Sequence, residues 1–120
     1  MAYQPNNIFA RILEGEIPCE KVYEDDYALA FRDINPKAPV HVLVIPKGEY
    51  TTLDEFAGAA PAELMAGFFR AFAEVVALLG IAESGYRTIV NTGRDGGQEV
   101  AHLHFHVLAG RPIGRMVGRE

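Results

Sequence analysis

Apolar residues recur along this chain with two different periods. Between Pro61 and Leu79, the residues Leu64, Phe68, Phe72, Val75 and Leu79 stand four, four, three and four apart. That stripe predicts an amphipathic helix with Pro61 in its first turn and Gly80 at its end. A shorter helix is predicted over Ile8–Leu13, where Ile8, Phe9 and Ile12 share a side, Asn6 or Asn7 can cap the start, and Gly15 and Pro18 follow. Elsewhere the pattern suits strands, at Lys21–Glu24, Ala28–Asp33, residues 42–46, Tyr86–Asn91 and Val100–Leu108. Asp25-Asp26 reads as a hairpin turn, DINPKAPV (33–40) as a proline-punctuated loop, TGRDGGQE (92–99) as a glycine-bearing loop, and the tail from Gly110 as irregular. Strands joined mostly by short loops, with one long and one short helix, predict an α+β fold on an antiparallel sheet. A parallel βαβ arrangement would call for more than one long helix.

Composition narrows the function classes. The 120 residues are 49% hydrophobic, enough for a single domain spanning 1–120 to bury its own core. A net charge of -5 argues against a broad footprint for a nucleic acid polymer, while leaving room for a small phosphorylated ligand in a local pocket. Cys19 is the only cysteine, so no disulfide framework or thiolate cluster is available, as befits a reducing compartment. The opening residues lack a basic and then apolar leader pattern, and no apolar run is long enough to cross a membrane. A cytoplasmic protein with no membrane partner is expected.

The chemistry concentrates in HLHFHVLAG (102–110). In a strand, alternate residues share a face, so His102, His104 and His106 are expected to form a row while Leu103, Phe105 and Val107 face the core. Neighbouring imidazoles would then lie about 6.6 Å apart and the outer pair about 13 Å apart. That span disfavours one tetrahedral zinc held by all three, although two of them with His41 can still be arranged around a metal; no metal and no cofactor are expected. A hydrogen-bonded row on an exposed face is the bland alternative. The sharper one uses a neutral imidazole as nucleophile beside a second imidazole that handles its protons. Gly93, Gly96 and Gly97 can either make a hairpin connection or bring backbone N–H groups close to an anion. Asp33 can initiate a turn or accept hydrogen bonds from a vicinal diol.

His-Leu-His-Phe-His-Val-Leu matches the signature of the histidine triad family. The stretches AFRDINPKAPVHVLVIPK (30–47), GYRTIVNTGRDGGQEV (85–100) and HLHFHVLAGRP (102–112), with the opening IFARILEGEIPCEKVYEDD (8–26), resemble its Hint branch, the nucleoside phosphoramidases. The resemblance implies a HIT-like fold, a homodimer whose sheets join, and hydrolysis of purine nucleoside 5'-phosphoramidates without an obligatory metal. It implies His104 as nucleophile, His106 at the phosphate oxygens and leaving group, and His102 and His41 as support. It further implies Asp33 on the ribose, Ile8, Phe9, Ile12, Phe31 and Ile34 around the base, and Asn35, Asn91, Gly97, Gln98, Glu99 and Val100 among the nucleotide-binding residues. Ala101, Ala109 and Asn35 stand where the branch often has tyrosine, glycine and serine, and Glu99 where some relatives have serine. Two further functions fit such residues: a dinucleoside polyphosphate hydrolase, and a nucleotide sensor or scaffold with vestigial catalysis. The transferases of the superfamily typically carry glutamine at the third histidine, which His106 speaks against.

Overall fold

The computed structural model describes residues 2–118. In chain order its elements are α1 (Ile8–Leu13), β1 (Lys21–Glu24), β2 (Ala28–Arg32), β3 (Val40–Pro46), α2 (Leu53–Ala59), α3 (Ala62–Leu79), β4 (Arg87–Ile89), α4 (Gly93–Gly96) and β5 (Phe105–Ala109). The strands form one sheet in the order β1-β2-β3-β5-β4, every pair antiparallel. This is the α+β architecture that the hydrophobic pattern predicts, with two short helices added to it.

Each added helix has a local cause. Thr52 caps α2 by accepting from the Glu55 amide, and the Glu55 carboxylate turns back to accept from the Thr51 amide. This is a close variant of the capping box, and it starts a helix whose Phe56 is fully buried. Within TGRDGGQE, residues 93–96 wind one helical turn, which Gly97 ends in the left-handed conformation at φ 75°. Two strands are shorter than expected: β4 spans only Arg87–Ile89, and β5 starts at Phe105 rather than Val100.

The sheet's period of two divides its side chains cleanly between faces. On one side, Ala28, Ala30, Val42, Val44, Phe105, Val107 and Ala109 join Phe56, Phe68, Ala71 and Val75 in the larger core. There α3 presses close: Gly67 faces the Tyr27 ring, and a Cβ at that position would run into it. On the other side, Leu29, Phe31, Leu43 and Ile45 pack with Phe9 of α1 in a smaller cluster. His41 precedes Leu43 by two residues, and β3 pairs Leu43 with His106 of β5. The histidines therefore belong to the α1 face. No helix among the described residues is long and apolar enough to cross a membrane.

Candidate active site

A cavity of about 580 Å³ opens on the α1 face. Its apolar wall includes Ile8, Phe9, Ile12 and Phe31, with the exposed Ile34 at the rim. Asp33, Asn35, His41, Asn91, Gly97, Glu99, Val100, His104 and His106 line it as well. Two residues expected at the site stand behind this surface. His102 is wholly buried. Gln98 turns its amide away, accepting from the Gly93 amide and donating to the Thr51 and Val100 carbonyls, so it clamps the loop from outside the cavity lining.

The expected row of three histidines on one strand is not what forms. Residues 100–104 lie outside the sheet, and the Leu103 amide donates to the Tyr50 carbonyl rather than to a neighbouring strand. Only His106 sits in β5. The chain bends because His102 is drawn inward: its Nε2 lies 3.0 Å from the Pro46 carbonyl oxygen and its Nδ1 2.8 Å from the Tyr3 hydroxyl. His104 in turn points its Nδ1 at the His102 carbonyl, 2.7 Å away. The His104 and His106 ring centres stand 5.1 Å apart, closer than the expected spacing of about 6.6 Å.

These contacts fix the tautomers. A carbonyl oxygen only accepts, so His102 carries its proton on Nε2 and leaves Nδ1 to accept from Tyr3. By the same logic His104 carries its proton on Nδ1, and its Nε2 holds a lone pair without a hydrogen-bond partner among the described residues. On β3, the Lys37 amide donates to His41 Nδ1, so His41 Nε2 carries a proton and donates it to His106 Nδ1, 2.9 Å away. His106 is left with its proton on Nε2. Of the three imidazoles that line the cavity, His104 and His106 thus have opposite roles: His104 presents a lone pair and His106 an N–H.

Burial keeps all four rings uncharged near neutral pH. It pushes the His102 and His106 pKa values down to about 4, His106 being depressed further by His104 and His41. His104 and His41 are also lowered chiefly by burial, offset in part at His104 by its hydrogen bond to the His102 carbonyl and then by the charge of Asp33, and at His41 by the charge of Asp33. Asp33 itself, expected in β2, follows the strand's end. One of its oxygens accepts from the Asn35 amide at 2.8 Å in a turn, and the other lies 3.5 Å from His41 Nε2. Asp33, His41 and His106 bring ligand atoms within 4.8 Å of one another, so they are the described residues able to hold a metal, at the expense of the His41–His106 hydrogen bond.

Sequence reasoning missed Tyr3, which touches His102 from 99 residues away, and the cavity wall at Ile17, Pro18 and Cys19. Nothing local signals the first. The second adjoins the end of α1 and was legible only as the stop of that helix.

A family model described as the HIT domain matches residues 14–113. The chain belongs to the HIT family. An uncharacterized 13.2 kDa HIT-like protein of Azospirillum brasilense is 58% identical to it, covering 96% of this chain and 94% of its own. The purine nucleoside phosphoramidase of Escherichia coli K12 is 44% identical, covering 94% of both chains. A HIT family hydrolase from Legionella pneumophila, solved by crystallography, superposes with a TM-score of 0.85 at 41% identity and covers 94% of this chain and all of its own.

Proposed function

We propose that this HIT protein is a hydrolase that cleaves the P–N bond of purine nucleoside 5'-phosphoramidates through a nucleotidyl-His104 intermediate. The observation that carries this reading is the opposed pair in the cavity, a lone pair on His104 Nε2 beside an N–H on His106. The E. coli relative's name supports the substrate class.

In the first step His104 Nε2 forms a bond to the α-phosphorus as the P–N bond breaks. The departing nitrogen takes a proton and leaves as a neutral amine, since an amide anion is a poor leaving group. His106 is the donor nearest to hand: the bound substrate anion raises its pKa, so the His106–His41 pair takes up a proton from solvent as substrate binds and returns to neutral on passing one to the nitrogen. His104 then carries a positive charge that its Nδ1–H shares with the His102 carbonyl. In the second step water attacks the phosphorus, returns one proton to the His106–His41 pair, and frees His104 and the nucleoside monophosphate. Splitting one displacement into two lowers each barrier. Asp33 is suited to the ribose hydroxyls, and Ile8, Phe9, Ile12, Phe31 and Ile34 to the base, with Asn91, Gly97 and Glu99 nearer the phosphate and Asn35 and Val100 also in contact with the nucleotide. We place Gln98 as support for that loop. The short edge strand β4, beside the exposed Tyr86 and Phe69, is a candidate seam for the homodimer.

The test is release of AMP from adenosine 5'-phosphoramidate in excess EDTA, with His104→Ala alongside. Turnover by the unaltered protein alone supports the reading. An active His104→Ala variant, or diadenosine polyphosphate turned over in preference, refutes it.

A further inference from the structure

The lone pair on His104 exists because the His102 carbonyl holds the opposite nitrogen's proton, so whatever positions that carbonyl governs the nucleophile. The carbonyl sits in residues 100–104, which have no strand partner, and the His102 side chain is their anchor. One end of that ring is tied to the end of β3 through Pro46. The other end is tied to the N-terminal arm: the Tyr3 hydroxyl donates to Nδ1, and its ring packs edge-on against the imidazole at 5.6 Å. Burial holds Tyr3 in its protonated, donating form.

The arm is itself braced. Asn7, buried at the start of α1, bonds the Gln4 carbonyl through its amide nitrogen at 2.7 Å and accepts from the Ala10 amide at 2.8 Å. The same α1 carries Phe9, whose ring meets His104 edge-on at 4.9 Å. One short stretch of chain therefore bears on two successive imidazoles, one from behind and one from the cavity side.

We propose that Tyr3 is a positioning residue for the reaction: by donating to His102 Nδ1 it fixes the His102 segment and, through its carbonyl, the Nδ1–H tautomer of His104. The consequence for turnover rests on the phosphoramidase reading; the consequence for the tautomer does not. Tyr3→Phe keeps the ring and removes the donor. Its kcat for adenosine 5'-phosphoramidate is expected to fall about fivefold, the worth of one neutral hydrogen bond, with KM unchanged. In histidine-selective 15N spectra, the His102 Nδ1 resonance should shift and the His104 nitrogens move toward a mixture of tautomers. A thermal melt separates this from loss of fold.

Unchanged kcat with unchanged His102 and His104 resonances overturns the proposal. So does a raised KM with unchanged resonances, because Tyr3 would then act on the pocket wall. If the unaltered protein leaves the phosphoramidate intact while Tyr3→Phe shifts both histidines, the substrate reading falls and the positioning role stands.

Discussion

The two faces of the sheet are equally dry at their base and differ in what they do with their volume. Toward α3, Phe56, Phe68, Val42, Val44, Val75 and Val107 are all fully buried, and the Phe68 ring meets Phe56, Phe69 and Phe105 edge-on. Toward α1, His41 and His104 are 5% and 6% exposed, yet a cavity of about 580 Å³ lies against them. The same backbone alternation serves both. One face spends its residues on packing, while the other keeps polar rings out of water by bonding them to one another and to carbonyls, leaving space in front. Stability and chemistry should therefore be separable by face.

The sharpest break of that separation is a crossed pair. His104→Ala should lower turnover by at least about a thousandfold with little change in the urea midpoint, because it removes the nucleophile and opens an already hollow site. Phe68→Ala should cost about 3–5 kcal/mol in urea unfolding, having removed a fully buried ring. A thousandfold loss in both assays for either variant would erase the distinction.

Acid offers the next test. His102 binds its proton only near pH 4 when folded, against an ordinary value of 6.5, so the unfolded chain holds the extra proton between those limits. Stability from the neutral ring is complete above about pH 6.5, falls by about 1.4 kcal/mol per unit as the pH drops from there, and is gone near pH 4. Urea midpoints measured from pH 7 to 4.5 should decline accordingly, and the decline should be shallower in His102→Asn. The smallest expected effect lies outside both faces: Thr52→Ala removes the α2 cap and should cost about 1 kcal/mol with no change in turnover.

Much of this was legible in the chain. The stripe from Leu64 to Leu79 placed the helix over the larger core, and alternation placed Phe105 and Val107 against it. The capping signal of α2, Thr52 with Glu55 three residues on, is present in the sequence, but the seven-residue segment it starts has only two large apolar residues, Leu53 and Phe56, too few to show a helical period. The extended reading of residues 100–104 failed for a different reason. His102 leaves the sheet for partners at positions 3 and 46, and a period-two pattern carries no record of contacts that distant. The tautomers were out of reach for the same cause, since each is set by a carbonyl or amide contributed by the folded backbone.

The two hydrogen-bond chains also decide what the histidine cluster is like at rest. Four imidazoles gather there without a standing imidazolium, so an arriving phosphate meets oriented dipoles, and His104 itself is charged only while phosphorus is bonded to it. When the nucleoside monophosphate is released, that charge has already left the ring. Product departs without an ion pair to break at His104, and the nucleophile resets by shedding its own grip.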